Sequence, residues 1–291
     1  MSPPADRPIF IVGCGRSGTT LLYELLCEHP DLAWFSNYSE RVPALGAVAA
    51  LHRARWLGRP PKGSARSSRW RPHPVEGYRV WDHGTGSLPG GLNRPLDADD
   101  LTAEARRRVR TIVRAHVRAQ GARRFVNKNT RNARRIPYLH AIFEDARFVH
   151  VVRDPRATAV SLTRVAFWED LEIWWKDDAR VRDLVASGCA PLELAASVWA
   201  HEVGQVDQAA SELPAGALVE VRYEALVAAP EDTVARLLRE MELSFDDGVR
   251  RALSRVELRA GQVALTGEEP AQVRRAAADV AAVHGYELSA P

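Results

Sequence analysis

Apolar segments of strand length alternate with segments of helical repeat along this chain. Residues 8–12 form a short apolar run between a proline and a glycine, which is typical of a buried parallel strand. In residues 19–28, leucine recurs at the spacing of a helix that is buried on one face, and Pro30 ends that helix because proline cannot continue it. The first predicted elements are therefore a strand, a glycine-rich loop and a helix.

The same alternation continues in the later part of the chain. A second strong strand is predicted at residues 147–152, and Asp154 with Pro155 starts a helix that runs to about residue 167, because aspartate caps helices and proline suits their first position. The other predicted strands are residues 125–126 and 218–222, and the other predicted helices are residues 98–120, 130–143 (with a kink at Pro137), 191–211 and 230–241. This alternation predicts an α/β fold with a central parallel sheet flanked by helices.

Two stretches show little periodicity. Residues 31–54 are apolar and irregular, with a helix predicted from Pro43 onward. Residues 55–98 are rich in proline, glycine, serine, arginine and tryptophan, and a segment of this length without regular structure is usually a functional lid or disordered. We therefore expect a single domain over residues 1–291, with residues 55–98 as a lid or insert.

The composition is ordinary for a soluble globular protein. The 291 residues have a formal net charge of +3, with 26% charged and 46% hydrophobic residues. This mild balance argues against nucleic-acid binding, and the arginine-rich residues 106–110 and 131–135 are expected to be solvated helix faces. Three cysteines in no metal-binding pattern predict a reduced, cytoplasmic setting. Neither a signal pattern nor a membrane span is expected, because the first apolar run is short and no longer one follows.

Residues 13–20 read Gly-Cys-Gly-Arg-Ser-Gly-Thr-Thr and join the first strand to the first helix. Glycines let successive backbone N–H groups turn inward, and a helix N-terminus adds partial positive charge, so this loop is expected to bind a phosphate. In the loop of nucleoside triphosphatases a lysine follows the last glycine. Here Thr19 takes that position, and the cation is Arg16 inside the loop. The loop therefore favours a phosphate compound that is less charged than a nucleoside triphosphate and that needs no bridging metal.

A second candidate site follows the strand at residues 147–152. Arg153 lies at its carboxyl end, where open α/β sheets bind ligands, and Ser161 lies about two helical turns further on. Arginine can bind a phosphate through two N–H groups, and serine can donate a hydrogen bond to it. The pair is a candidate phosphate site, although Arg153 alone could instead pair with a neighbouring carboxylate.

Both segments resemble one known family. IFIVGCGRSGTTLL resembles the 5′-phosphosulfate loop of sulfotransferases that use 3′-phosphoadenosine 5′-phosphosulfate (PAPS), and it is closer to the tyrosylprotein and bacterial members than to the cytosolic ones. VHVVRDPRATAVSL resembles the family's 3′-phosphate site, matched at Arg153 and Ser161. A kinase has no use for a 3′-phosphate site. The resemblance, over about residues 8–241, implies a three-layer P-loop fold like that of nucleoside kinases, with a cap over the acceptor site, PAPS as donor and no metal.

Two further segments extend the resemblance. VRYEAL has Tyr223 where the family's tyrosine reaches the nucleotide, and VNKNT has Lys128 where the family's lysine touches the transferred group. Sulfuryl transfer depends on positioning and on cations that stabilise the leaving phosphate, and Arg16 and Lys128 are the expected cations. The donor-binding residues implied by the resemblance are Gly15, Arg16, Ser17, Gly18, Thr19, Thr20, Arg153, Ser161 and Tyr223.

The general base rests on a looser match. Related enzymes use a glutamate soon after an H-P-D/E sequence; residues 29–31 match that sequence, the expected position falls near Asn37, and Glu40 follows shortly after. Glu40 is the first candidate, with a surface carboxylate as the alternative. His83, expected in a glycine-flanked loop, is the second candidate. The histidine that cytosolic enzymes carry beside the lysine is replaced here by Asn129.

The resemblance implies transfer of a sulfuryl group from PAPS to a hydroxyl or amine of a small-molecule, glycan or lipid acceptor, without nucleic-acid partners. A P-loop kinase using Mg-ATP and a non-catalytic nucleotide-binding protein are the alternatives. Aromatic side chains after the 3′-phosphate helix could line the acceptor pocket or pack in the core: Phe167, Trp168, Trp174 and Trp175. The last fifty or so residues match the family poorly, and the polar candidates there are Arg255, Arg259 and Gln262.

Overall fold

Five short parallel strands form the central sheet of the computed structural model, which describes residues 6–44, 48, 50–51, 72–86, 94–256 and 263–288. Seven strands lie in the described ranges, five of them in this sheet: β1 (Ile9–Val12), β2 (Leu32–Ala33), β3 (Arg124–Lys128), β4 (Arg147–Val152), β5 (Glu172–Ile173), β6 (Ala179–Arg180) and β7 (Leu218–Arg222). The sheet order is β2-β3-β1-β4-β7, and β5 and β6 form a separate antiparallel pair. Because neighbouring strands of the main sheet run in the same direction, their carboxyl ends share one edge.

Helices connect the strands and cover the sheet. They are α1 (Thr19–Leu26), α2 (Asn37–Arg41), α3 (Tyr78–Thr85), α4 (Ala103–Gln120), α5 (Ile136–Ile142), α6 (Pro155–Thr163), α7 (Val181–Ala186), α8 (Pro191–Ala210), α9 (Tyr223–Ala228), α10 (Pro230–Glu240), α11 (Asp247–Leu253) and α12 (Glu269–Val283), with a 3₁₀ turn at Thr130–Arg134. None of the helices in the described ranges is long and apolar enough to cross a membrane.

Both faces of the sheet are covered by apolar helix surfaces. On β1, Ile9 and Ile11 face one side and Phe10 faces the other, because successive side chains of a strand point to opposite faces. The isoleucine side packs against α1, α10 and α11, and the phenylalanine side packs against α4 and α5. The α/β fold with a helix-covered parallel sheet is therefore confirmed.

A third apolar cluster joins α8 to α6 and α12. Trp199 of α8 is fully buried in it, and its indole N–H donates a hydrogen bond to the backbone oxygen of Arg153 at 3.0 Å. The core thus reaches the residue that directly follows β4. Cys14 and Cys27 are buried, as their apolar surroundings predict.

The predicted elements around β3 are corrected in two details. The strand is longer than residues 125–126 and ends on Lys128, so the lysine belongs to the strand and does not follow it. The helix predicted at residues 130–143 is two elements, a 3₁₀ turn and α5, which are separated at Arg135. Pro137 lies in the first turn of α5, where the missing N–H of proline costs nothing, so it starts this helix and does not kink it.

The stretch predicted to be irregular contains regular structure. Residues 78–85 form α3, and β2 and α2 lie in the part before Pro43. Apolar contacts explain α3: Val80 and Trp81 are buried, and an added Cβ on Gly84 would lie 3.0 Å from Val109 of α4. The rest of the expected lid, residues 55–71 and 87–93, and most of the helix predicted from Pro43 lie outside the described residues.

A polar cluster around the buried side chain of His284 ties the end of α12 to the sheet. His284 hydrogen-bonds through Nδ1 to Glu220 of β7 at 2.7 Å and through Nε2 to Asp207 of α8 at 3.1 Å. Burial lowers the pKa of His284, but the hydrogen bonds and charges of the two carboxylates outweigh it and raise the pKa to about 9. Burial and the charge of His284 lower the pKa of neighbouring His150 to about 4. His284 therefore carries the positive charge of the cluster at neutral pH.

We expect His284→Gln to remove a pH-dependent part of the stability. A histidine with a raised pKa in the folded state stabilises fully below its unfolded value of about 6.5 and loses this contribution as pH rises through the folded value. The variant should lose on the order of 2–3 kcal/mol of unfolding free energy at pH 6, and the difference from wild type should shrink as the pH rises from about 6.5 to about 9. Urea unfolding across this pH range measures it, with exposed His83→Gln as the control. A constant difference at all pH values would contradict the charged assignment.

Candidate donor site and catalytic edge

The loop between β1 and α1 passes very close to two neighbouring elements. Gly13 has a φ of 137°, and an added Cβ there would lie 2.4 Å from the backbone oxygen of Val151 in β4. Gly18 has a φ of 93°, and an added Cβ would lie 2.3 Å from the ring of Tyr223. Both positions therefore require glycine, for backbone conformation and for space. The loop is fixed in place by β4 on one side and by Tyr223 on the other.

The interior of this loop has the properties of an anion site. Ser17 is fully buried, and its Oγ has no hydrogen-bond partner among the described residues. A buried hydroxyl without a partner is costly, so a ligand that accepts from it would stabilise the loop. Thr19 is also buried, and it begins α1, whose N-terminus favours negative charge. These residues fit a bound phosphate group.

Arg16, Ser161, Arg153 and Tyr223 form a continuous set of contacts beside the loop. Arg16 donates through Nε to Ser161 Oγ at 3.1 Å, and Arg153 donates through Nη1 to the backbone oxygen of Arg16 at 3.1 Å. The Arg153 guanidinium also stacks 4.3 Å from the ring centre of Tyr223. The structure thus brings together the loop and the second candidate phosphate site, although they are far apart in sequence.

A cavity of about 610 Å³ opens next to Arg153 and Tyr223. Its lining combines these two side chains with charged groups of α6 and α9 and with apolar residues: Asp154, Arg156, Ala157, Glu224, Val227, Ala228, Val263 and Ala264. A volume of this size suits a nucleotide-sized ligand. The C-terminal region contributes to this wall through residues 263–264, and Tyr286 donates to Glu224 Oε2 at 2.7 Å. Arg255 is exposed, and Arg259 and Gln262 lie outside the described residues.

Lys128 occupies the same sheet edge, one strand away from the loop. It pairs across the sheet with Ile11 of β1, and its side chain is almost fully buried. Its Nζ donates to Glu76 Oε1, and Tyr78 donates through its hydroxyl to Glu76 Oε2 at 2.5 Å. Burial and the charge of Glu76 raise the pKa of Tyr78, so it stays a neutral donor. The predicted cation Lys128 is therefore ion-paired with a carboxylate that the sequence patterns did not indicate.

A further carboxylate lies near Lys128 on α1. Burial raises the pKa of Glu24, while the charges of Lys128 and His73 partly offset this increase. Tyr23, the preceding residue, is buried, and its hydroxyl donates to the backbone oxygen of Val75 at 3.1 Å. These contacts hold residues 73–76 against the start of α1.

The two predicted general bases, Glu40 and His83, lie on the short helices α2 and α3. Glu40 is on α2, and its Oε1 accepts from the backbone N–H of Arg79 in the first turn of α3 at 3.1 Å. Its Oε2 is buried and has no partner in the described part of the chain. His83 lies on α3 with an exposed side chain, and its backbone oxygen accepts from Arg108 at 3.4 Å. The expectation that His83 sits in a mobile loop is wrong, because the segment packs against α4.

The aromatic residues after α6 divide between core and surface. Trp168 is buried in the α8 cluster, and Phe167 is 57% exposed. Trp175 stacks on His201 with ring centres 3.8 Å apart, and Trp174 lies across both rings. Among the described residues, no group of three or more histidine, cysteine, aspartate or glutamate side chains could hold a metal ion.

A model of the protein family described as "Sulfotransferase family" matches residues 8–247. The chain belongs to this sulfotransferase family. The match includes the loop of residues 13–20, Lys128, Arg153, Ser161 and Tyr223, so the family assignment and the contacts at the sheet edge concern the same part of the molecule.

Relatives and solved structures agree with the sulfotransferase assignment. The chain is 26% identical to the omega-hydroxy-beta-dihydromenaquinone-9 sulfotransferase Stf3 of Mycobacterium bovis, over 99% of this chain and 77% of that protein. It is 22% identical to the protein-tyrosine sulfotransferase of Drosophila melanogaster, over 96% of this chain and 51% of that protein. The fold is similar to that of sulfotransferase STF9 from Mycobacterium avium, with a TM-score of 0.64 and 16% identity over 99% of this chain and 79% of that one. It is also similar to the sulfotransferase domain of the Synechococcus olefin synthase, with a TM-score of 0.52 and 20% identity over 99% of both chains.

The sulfotransferase loop should not tolerate a side chain at Gly18. Gly18→Ala combines a left-handed backbone with a clash against the Tyr223 ring, and we expect it to lower the free energy of unfolding by about 3 kcal/mol. Gly188→Ala is the matched control, because Gly188 has a φ of 102° and no atom within 4 Å of the added Cβ. We expect the control to cost only about 1 kcal/mol of backbone strain. Equal losses in urea unfolding would show that the contact with Tyr223 is not tight in solution.

Proposed function

We propose that this sulfotransferase moves a sulfuryl group from PAPS to a hydroxyl or amine of its acceptor and releases adenosine 3′,5′-bisphosphate. The contacts that join the loop, Arg16, Ser161 and Arg153 at the mouth of the cavity carry this proposal. They provide two neighbouring anion sites and a nucleotide-sized space, which is what a nucleotide with phosphates on both its 5′ and 3′ sides requires.

In this proposal, the 5′-phosphosulfate lies in the loop. Gly15, Gly18 and Thr20 supply backbone N–H groups or a hydroxyl, while Ser17 and Thr19 are buried. The unpartnered Ser17 Oγ gains an acceptor when the donor binds.

The 3′-phosphate binds Arg153 and Ser161, and the base and ribose occupy the cavity. Tyr223 is fixed by Gly18 on one side and by Arg153 on the other. Arg156 adds a second guanidinium to this wall, oriented by Asp154 at 2.6 Å. Burial of the nucleotide between these groups positions the sulfur atom at the sheet edge.

The transfer itself follows from the charges at that edge. The acceptor oxygen attacks sulfur opposite the leaving 5′-phosphate oxygen, and the negative charge that grows on the leaving oxygen is stabilised by Arg16 and Lys128. Lys128 is suited to this role because it is buried, where a charge acts more strongly than in water. Glu40 and His83 are the bases that the sequence predicts, and Glu76 is the carboxylate in contact with Lys128.

The acceptor belongs to the small-molecule, glycan or lipid classes. The relative Stf3 is named for a hydroxylated menaquinone, which is a lipid-like acceptor, and the Drosophila relative is named for protein tyrosine. Both groups are hydroxyls, so we expect a hydroxyl acceptor here, with hydroxylated lipids as the first compounds to assay.

The donor assignment predicts metal-independent binding of adenosine 3′,5′-bisphosphate. Calorimetry in EDTA should detect it, and Arg153→Gln should weaken it about 10- to 100-fold, because a charge-assisted hydrogen bond to the 3′-phosphate is lost. Adenosine 5′-monophosphate, which has no 3′-phosphate, should bind wild type and Arg153→Gln almost equally.

Arg182→Gln is the matched control for this experiment. Arg182 is a half-exposed arginine that pairs with Asp170 at 2.9 Å, and it does not line the cavity. If Arg153→Gln weakened the binding of both nucleotides to a similar extent, Arg153 would not be the residue that binds the 3′-phosphate. Binding of ATP only with magnesium, and none of the bisphosphate in EDTA, would favour the kinase alternative.

The catalytic assignment of Lys128 predicts a loss of rate that is larger than the loss of product affinity. Lys128→Ala should slow transfer from radiolabelled PAPS by at least about 100-fold, because a cation at the leaving oxygen is removed. The affinity for the bisphosphate should fall by about tenfold or less, since the product keeps the leaving oxygen but has neither the transferred group nor the charge that grows in the transition state. Exposed Lys176→Ala is the control. Full activity of Lys128→Ala would show that Lys128 does not stabilise the leaving oxygen.

A further inference from the structure

The sequence Asn127-Lys128-Asn129 at the end of β3 binds one residue, Glu76. The side-chain amides of Asn127 and Asn129 donate to the backbone oxygen of Glu76 at 3.1 and 3.3 Å. Lys128, between them, donates to the Glu76 carboxylate. Asn127 is itself fixed, because its Oδ1 accepts from the indole N–H of Trp81 at 3.1 Å. Three consecutive side chains of a buried strand end thus hold a single glutamate in place.

The Glu76 carboxylate remains accessible although its backbone is fixed. Its side chain is 28% exposed, whereas that of Lys128 is 5% exposed. Lys128 binds Oε1 and the Tyr78 hydroxyl binds Oε2 at 2.5 Å. Each carboxylate oxygen has two lone pairs, so acceptor capacity is left on the exposed side. Tyr78 is oriented by Thr130, with 2.9 Å between their hydroxyl oxygens.

We propose that Glu76 is the general base of the transfer, an assignment that rests on the proposed function. The ammonium of Lys128 has three N–H donors, and Glu76 takes one, which leaves donors for the transferred group and the leaving oxygen. A carboxylate that touches the same ammonium lies within hydrogen-bond reach of an acceptor hydroxyl placed against sulfur. Lys128 therefore fixes the distance between the base and the reacting atoms.

The step balances as follows. The acceptor oxygen forms the new bond to sulfur, and the bond between sulfur and the 5′-phosphate oxygen breaks. The hydroxyl proton passes to Glu76, and the electron pair of the broken bond stays on the 5′-phosphate. Lys128 and Arg16 stabilise this charge. The products are the sulfated acceptor, the bisphosphate and a protonated Glu76 that releases its proton to water.

Several charged and titratable groups face Glu76 and will shape its pH dependence. Lys128 of β3 and Tyr78 of α3 bind its carboxylate directly. On α1, burial raises the pKa of Glu24 and the charge of Lys128 partly offsets this increase, while burial and the charge of Glu76 raise the pKa of Tyr23. Arg131 stacks 4.8 Å from the ring centre of Tyr78. Lys128 and Arg131 are the positively charged groups of this set.

Glu40 is held differently and acts as a positioning residue. Its Oε1 accepts from the backbone of Arg79 at the start of α3, and its Oε2 is buried. A carboxylate with one oxygen on a helix N-terminus and the other out of solvent holds α2 to α3. Because α3 also carries Tyr78, Glu40 supports the placement of Glu76 without touching the reacting atoms.

Glu76→Gln tests the proposal, because glutamine keeps an oxygen for Lys128 and Tyr78 but cannot accept the proton. Consumption of radiolabelled PAPS is measured with water, a long-chain primary alcohol and a phenol as acceptors. The rate should fall about 10²- to 10⁴-fold, the acidic limb of the pH–rate profile should disappear, and the affinity for the bisphosphate should stay within about threefold. Exposed Glu144→Gln is the matched control. Glu40→Gln should lower thermal stability and keep the acidic limb.

The outcomes separate this inference from the function it rests on. A Glu76→Gln rate equal to or above that of wild type would mean that Glu76 only neutralises Lys128, and would overturn the proposal. Loss of the acidic limb in Glu40→Gln would return the role to Glu40. If the wild-type protein binds no bisphosphate, the donor assignment itself is refuted. If it binds the bisphosphate but consumes PAPS with none of the three acceptors, both the assignment of Glu76 as the base and the proposed transfer activity are overturned.

Discussion

The parallel pairing of β3, β1, β4 and β7 is the constraint on which the site depends. Parallel strands end at one edge, so each residue that follows a strand meets those that follow its neighbours. Lys128 ends β3, the loop of residues 13–20 follows β1, Arg153 follows β4, and Tyr223 follows β7. The order of the strands is therefore also the order of these groups along the sheet edge, from Lys128 to Tyr223.

Because this order comes from the sheet, small changes in spacing between adjacent strands control the whole site. The loop after β1 has no spare room: it touches β4 at Gly13 and Tyr223 at Gly18. Tyr223 in turn stacks on Arg153, whose backbone oxygen is bound by Trp199 of α8. Arg153 and Tyr223 are thus held by contacts with the loop on one side and with α8 on the other. This rigidity suits a reaction that depends mainly on positioning.

The sequence predicted that these segments follow the strands of one parallel sheet, for a physical reason. A buried strand, a glycine-rich turn and a capped helix are local patterns, and parallel strands bring local patterns to one edge without further information. Glu76 could not be predicted in this way, because it is 52 residues from Lys128 and lies in a stretch without periodicity. The short helix α3 was missed for a related reason, since its eight residues are stabilised by burial of Val80 and Trp81 and not by a helical repeat. Likewise, His284 shows no sequence signal, because its partners come from β7 and α8.

The burial of Lys128 explains why the segment around Glu76 returns to the sheet. A buried ammonium is costly unless a carboxylate or other acceptors replace the lost water. The strand buries Lys128 at the edge where we propose that the leaving oxygen lies, and no carboxylate precedes it within β3. The required negative charge therefore comes from outside the sheet, and the two asparagines on either side of Lys128 fix the backbone that delivers it. The ion pair that makes the buried lysine tolerable thus also places a carboxylate where the proposed transfer requires a base.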